Sequence, residues 1–281
     1  MDIIDRRELP IAVFDSGVGG LTIVKEILNI LPQESVLYLG DTARVPYGAK
    51  SAETVKRFTE EAISFFKPKG IKMLLIACNT SSSLALPSLR EDYGFKILGV
   101  VDAGAEEAAK VSRIKRIGVI GTEATISSGI YERKLKELDP SLEVFSKSCP
   151  LLVPLVEEGW IDEPESYKIA SKYLKSLKDK KIDTLILGCT HYPLMKKMIQ
   201  YGIGEHVALI DSAKEFVRRV RKILLESDAL SIKEEREYKF YVTDEPSKFK
   251  NFSELFLGNN IGSIEKIDLK ESRNVSDINK I

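Results

Sequence analysis

The sequence predicts an α/β protein built from two pseudo-symmetric, doubly wound domains with mostly parallel sheets, the active site lying in the cleft between them. Three observations predict this. Apolar runs of a few residues alternate with amphipathic stretches of ten or more. The phrase "IAVFDS" (Ile11 to Ser16) returns as "IGVIGT" (Ile117 to Thr122). The phrase "LLIACNTSSS", with Cys78, returns as "LILGCTHYPL", with Cys189. The two offsets, 106 positions (11 to 117) and 111 positions (78 to 189), are similar, and the order is kept. Strands that alternate with helices form a parallel sheet covered on both faces. A first domain is expected at 1–100 plus 211–281 and a second at 101–210.

Taken in order, "IAVF" is the first strand and "GGLTIVKEILNIL" the first helix, with Leu21, Val24, Ile27, Leu28 and Leu31 on one face. Pro32 ends that helix, and "SVLYLG" is the next strand. Ser51 caps the helix that begins "AETVKRF", with Glu53 in its first turn. The alternation continues through "KMLLIA", "KILGVV", "RIGVIG", "DTLILG" and "HVALI", each followed by a helical stretch. "YKFYVT" has no clear place in this alternation and reads as an edge strand. The polar end, "KESRNVSDINKI", is expected to fray.

Composition narrows the function. The 281 residues carry 42 basic and 42 acidic side chains, so bulk charge gives no argument for nucleic acid or an anionic membrane as partner. No run reaches the roughly 20 apolar residues that span a bilayer, and "MDIIDRRELP" is too charged for a signal peptide. Three cysteines do not make a disulfide framework. A cytoplasmic enzyme or binding protein is expected.

Both paired cysteines stand at the carboxyl ends of predicted strands, where open α/β sheets bind ligands. A helix start there favours the thiolate. Filling core space is the plain alternative, and for the isolated Cys149 it suffices. A redox pair lacks its Cys-x-x-Cys spacing. A zinc site is poorly served by three cysteines and two histidines at scattered positions. A hydrolase needs one nucleophile, which leaves the second cysteine without a role. Racemisation employs both: one base removes a proton from one face of a carbon, and a conjugate acid returns one to the other.

The polar neighbours suit such a site. Asp15 in "VFDSGVGGLT" is placed to bind an ammonium group, to orient a base, or simply to cap a turn. Gly17, Gly19 and Gly20 permit close approach, but match neither the dinucleotide fingerprint nor the P-loop. Pro46, Tyr47 and Gly48 lie on a loop able to close over the site. Asn79, Thr80 and Thr190 are neutral donors for carboxylate oxygens, and His191 adds an imidazole. His206 reads as structural. Glu157 reads as a surface carboxylate or a general acid/base helper.

Together, "FDSGVGGLT", "DTARVPYGAKS", "ACNTSS" and "LGCTHYPL" resemble the glutamate racemases, in order, from about Ile11 to the "YVT" region. The resemblance implies a cofactor-independent isomerase that supplies D-glutamate for peptidoglycan, needing neither pyridoxal phosphate nor metal. It implies Cys78 and Cys189 as the catalytic pair, with Cys78 the base toward D-glutamate and Cys189 toward L-glutamate. Asp15, Ser16, Tyr47, Gly48, Asn79, Thr80, Thr190 and His191 would hold the substrate. Asp15, His191 and Glu157 would assist the thiols, and Thr122 would touch a carboxylate. A homodimer is expected. Ser81 departs from the alanine common in the family, and without the N-terminal extension of precursor-activated relatives no such activation is expected. Two rivals remain. One is an aspartate or other amino-acid racemase of the same superfamily, against which "CTHYP" and "PYG" argue. The other is a non-catalytic amino-acid-binding protein, which has no need of two cysteines at mirrored strand ends.

Overall fold

A computed structural model of the chain describes residues 5–89, 93–257 and 262–269. Its strands are β1 (Ile11–Asp15), β2 (Val36–Gly40), β3 (Met73–Ile76), β4 (Lys96–Gly99), β5 (Arg116–Gly121), β6 (Glu143–Ser148), β7 (Thr184–Gly188), β8 (Ala208–Ile210), β9 (Tyr238–Val242) and β10 (Ser263–Lys266). The first helices are α1 (Leu21–Ile30), α2 (Ala52–Phe66), α3 (Asn79–Leu84), α4 (Val100–Val111), α5 (Glu123–Ser127) and α6 (Ile130–Leu138). The chain continues with α7 (Leu152–Glu157), α8 (Pro164–Asp179), α9 (Lys196–Ile203), α10 (Ser212–Glu226) and α11 (Pro246–Leu257).

The strands form two sheets, ordered β10-β9-β2-β1-β3-β4 and β6-β5-β7-β8. Every pairing is parallel. The run β2-β1-β3-β4 in the first sheet has the same internal order as β6-β5-β7-β8 in the second. The sequence repeat is therefore a topological repeat, with β1 matching β5 and β3 matching β7.

Alternation along the strands covers both faces of each sheet. Ile11 and Val13 pack with Val24 of α1 and Phe216 of α10, while Ala12 and Phe14 pack with Ala62 and Phe66 of α2. In the second sheet, Ile117 and Val119 meet Ala105 of α4 and Leu135 of α6, whereas Leu185 and Leu187 meet Leu174 of α8 and Met198 of α9. Each fully buried large aliphatic or aromatic side chain is worth about 1.5–3 kcal/mol. At the opposite end from the cysteines, the Lys72 ammonium binds Glu34 Oε2 at 2.8 Å, Ala229 O at 2.9 Å and Arg7 O at 3.2 Å, with both charged side chains 1% exposed. Such a pair is costly to break, because removing one partner strands the other charge.

Three features differ from the sequence reading. "YKFYVT" forms β9, which lies inside its sheet between β2 and β10. The edge is β10, "SIEK", too polar to stand out as a strand because it has one neighbour and is mostly exposed. β6, "EVFSKS", is a second edge strand hidden by Ser and Lys on its open side. The polar end at 270–281 lies outside the described residues.

Candidate active site

Register brings the two halves of the site together. Phe14 pairs with Ile76, so Asp15–Ser16 and Ala77–Cys78 leave the first sheet side by side. The Cys78 thiol donates to Ser16 Oγ at 3.4 Å. In the second sheet Gly121 pairs with Gly188, so Thr122 and Cys189 leave it side by side in the same way. Thr122 caps α5, accepting from the Thr125 amide at 3.2 Å. Both cysteines are buried, at 4% and 6% exposure.

The second thiol belongs to a relay. Cys189 Sγ lies 3.8 Å from His191 Nδ1, and His191 Nε2 lies 3.1 Å from Glu157 Oε1 at the end of α7. Burial disfavours charge on the imidazole, but the hydrogen bonds to Cys189 and Glu157 outweigh it, and the His191 pKa is raised to about 10. Both partners favour the protonated imidazole. Because its folded pKa exceeds the ordinary 6.5, its contribution to stability is fully present below 6.5 and is lost as pH rises through about 10.

Polar contacts cross from one half to the other. Thr190 Oγ1 donates to Asp15 Oδ1 at 3.3 Å, and the Gly17 amide donates to Asp15 Oδ2 at 3.0 Å. Asp15 thus both caps its turn and faces the second half; full burial raises its pKa against the pull of His191. The Thr80 hydroxyl lies 3.0 Å from that of Thr122 and 3.2 Å from that of Thr125. Tyr131 of α6 donates to Asn79 Oδ1 at 2.6 Å, which leaves the Asn79 amide N–H groups for another acceptor. A Cβ on Gly19 would fall 2.3 Å from Thr190 Oγ1 and 2.8 Å from His191 Nδ1, so only glycine fits where this loop meets the second half.

The Pro46–Tyr47–Gly48 segment sits across this junction. The Tyr47 hydroxyl is committed to Asp41, which also accepts from Arg44 Nε at 2.6 Å and from Thr243 Oγ1 at 2.9 Å. What Tyr47 and Gly48 have left for a ligand is backbone. Gly48 lies against Thr122, where a Cβ would come within 2.3 Å of the threonine Cβ.

This arrangement goes with sequence likeness along nearly the whole chain. The Asp/Glu/hydantoin racemase family model matches residues 19–220. A glutamate racemase of Geobacter metallireducens is 46% identical over 264 residues, covering 94% of this chain and 98% of its own. The chain belongs to the glutamate racemase family. Solved structures agree. A glutamate racemase isoform of Bacillus anthracis superposes with a TM-score of 0.90 at 40% identity, covering 94% of this chain and 98% of that one. The glutamate racemase of Francisella tularensis, solved in complex with D-glutamate, gives 0.89 at 38% identity, covering 94% and 99%. The aspartate racemase of Picrophilus torridus shares the fold alone, at 17% identity and a TM-score of 0.54.

Against this family membership, two expectations about the thiols need correction. Cys78 occupies the N-cap position of α3 without a side-chain capping bond, α3 has only six residues, and burial followed by the Asp15 charge pushes its pKa up to about 11. Desolvation outweighs the helix start, so Cys78 holds its proton at neutral pH. Cys189 is followed by a 3-10 turn at Tyr192–Met195, and α9 begins only at Lys196; its titratable neighbour is His191 instead. Cys149 is wholly buried and its pKa is raised to about 12 by burial, in keeping with a packing role. His206 is exposed, so it has no core role. Thr125, Tyr131, Asp41 and Tyr38, whose hydroxyl donates to Gly17 O at 2.8 Å, were not singled out from sequence. Tyr131 and Tyr38 act on motif residues from distant elements with no local pattern to mark them, whereas Asp41 and Thr125 lie only six and three positions from Tyr47 and Thr122.

Proposed function

We propose that the protein interconverts L- and D-glutamate by a cofactor-independent two-thiol mechanism, in the cytoplasm and as a homodimer, supplying D-glutamate for peptidoglycan. The observation that carries the reading is the mirrored placement of Cys78 and Cys189 at equivalent strand ends of two topologically matched sheets. In the proposed division, residues 1–100 plus 211–281 and residues 101–210 form two domains that each present one thiol to one face of the substrate.

In this mechanism one thiolate removes the α-hydrogen while the opposite thiol returns a proton. That hydrogen is a very weak acid, and the neighbouring carboxylate makes the carbanion still harder to form. The neutral donors Asn79, Thr80, Thr122 and Thr190, with Ser16 and the Tyr47–Gly48 backbone, meet the two carboxylates and stabilise charge as it develops. Asp15 and His191 assist, Asp15 beside the Cys78 half-site and His191, backed by Glu157, beside Cys189. Incubation with L-glutamate in D₂O followed by chiral analysis tests the reading. D-Glutamate should form carrying one deuteron, while recovered L-glutamate stays largely protiated at early times. Turnover of aspartate in preference to glutamate, or exchange with no inversion, would count against it.

The assisting roles make a separate prediction. His191→Asn and Asp15→Asn should each lower kcat by on the order of tenfold or more, below the 10²–10⁴ of a direct proton-transfer group, with a smaller rise in KM. Steady-state kinetics in both directions check this; a change confined to KM would make these residues substrate binders only.

A further inference from the structure

The α3 segment carries a hydroxyl that nothing in the site so far employs. Ser81 is fully buried, and its Oγ has no hydrogen-bond partner. A buried unpaired hydroxyl is unfavourable, and alanine would fill nearly the same space without that cost. Its position is particular. Cys78 is the N-cap of α3, its carbonyl accepting from the Ser82 amide at 2.8 Å, which makes Ser81 the third helical residue. From that position a side chain reaches back to the capping residue, and the capping side chain accepts from that residue's amide.

As a thiol, Cys78 makes no such cap; its proton is turned to Ser16. An ionised sulfur has no proton to give and accepts only. We propose that Ser81 is a positioning residue for the Cys78 proton, its hydroxyl left unpaired while Cys78 is a thiol and donating to the sulfur once Cys78 is a thiolate. The hydrogen bond then exists in one protonation state only, and so it acts on the proton equilibrium rather than on the fold.

The surroundings give this donor something to offset. Asp15 from the end of β1, Tyr38 from β2 and Tyr47 from the turn before α2 are the titratable groups facing Cys78, and a negative charge on any of them opposes its ionisation. Against them stand the Ser16 hydroxyl and the Ser81 amide and hydroxyl, which favour the thiolate. Ser82 and Ser83 also have buried, unpaired hydroxyls, but neither occupies the third helical position, and Ser82 packs on Gly99.

The catalytic consequence rests on the two-thiol reading, but the proton equilibrium can be measured without it. In the full chain carrying Cys149→Ala and Cys189→Ala, Cys78 is the one remaining thiol. Its ionisation is followed by thiolate absorbance against pH, with and without Ser81→Ala or Ser81→Thr. Ser81→Ala should raise the Cys78 pKa by about one unit, a tenfold loss of thiolate at a given pH below it, while Ser81→Thr should restore it. Thermal melting at neutral pH should show Ser81→Ala no less stable than its parent, because an unpaired hydroxyl has been removed. An unchanged titration in Ser81→Ala would overturn the proposal, as would a Ser81→Thr titration shifted as far as that of alanine. If the titration moves but the unmodified chain does not racemise glutamate, the Ser81 assignment stands and the two-thiol reading falls.

Discussion

Cys78→Ala and Cys189→Ala are each expected to abolish glutamate racemisation, lowering kcat/KM by at least about 10³-fold. The argument begins with geometry. Each thiol closes an equivalent strand, and each has its own polar neighbours, Ser16 and Asp15 for Cys78 and His191 with Glu157 for Cys189. A variant lacking one thiol keeps a base for one face and has no proton to return on the other. Loss of either group must also be felt in both directions. The enantiomers have equal free energy in water, so kcat/KM for the L and D substrates falls by the same factor. Substitution by serine leaves a weaker acid in place and should preserve partial chemistry on one face. Elimination from a substrate analogue with a good leaving group should then survive in one enantiomeric series only, and in opposite series for Cys78→Ser and Cys189→Ser. Progress curves by chiral chromatography check the alanine variants. Near-parent racemisation in either of them would remove the two-thiol mechanism altogether.

The parts of this site that were legible in the sequence are those encoded locally. A strand end followed by Cys-Asn-Thr or Cys-Thr-His keeps its thiol and its donors within a few residues, and the repeat of the phrase revealed the matched topology. The strands β1, β2, β3, β5 and β7 were readable because they are apolar and mostly enclosed on both faces, and the edge strands β4 and β8 because they keep an unbroken apolar run. Edge strands β6 and β10 escaped because one open side lets polar residues interrupt the pattern. Long-range partners escaped for a different reason. Tyr131 reaches Asn79 across 52 positions and Tyr38 reaches Gly17 across 21, and in neither case does the local sequence mark the residue; Glu157, 34 positions from His191, was placed in the site only through the family resemblance. The electrostatics were the least legible. Whether a thiol at a strand end is easier or harder to ionise depends on how deeply it is buried and which charge faces it, and at Cys78 burial and Asp15 reverse the sign expected from position.

Gly19→Ala is expected to cost roughly 10²-fold in kcat/KM, by moving two groups of the site at once. The contact is between the Asp15–Gly20 loop of the first half and the Cys189–His191 segment of the second. An added Cβ would stand 2.3 Å from Thr190 Oγ1, 2.8 Å from Thr190 Cβ and 2.8 Å from His191 Nδ1, separations real side chains do not adopt. Neither neighbour can yield freely. Thr190 donates to Asp15 in the same loop, and His191 is fixed by Glu157 on one side and Cys189 on the other. The loop itself is held from behind by Tyr38 through Gly17 O. The strain therefore goes into separating the two halves, which lengthens the Thr190–Asp15 contact and turns the imidazole away from the Cys189 sulfur. Overpacking of this kind costs about 1–3 kcal/mol of stability, so the fold should survive while the alignment does not. Gly17→Ala supplies the comparison, because its nearest neighbours are Val45 Cγ2 at 3.2 Å and Glu157 Oε1 at 3.8 Å, contacts that a shift of a few tenths of an ångström relieves. Kinetics and thermal melting of the two variants should separate them clearly, with a large activity loss for Gly19→Ala and a small one for Gly17→Ala at comparable folding. If Gly19→Ala kept kcat/KM within about twofold of the parent, the close approach of the two halves would not be what aligns Cys189, His191 and Asp15 for proton transfer.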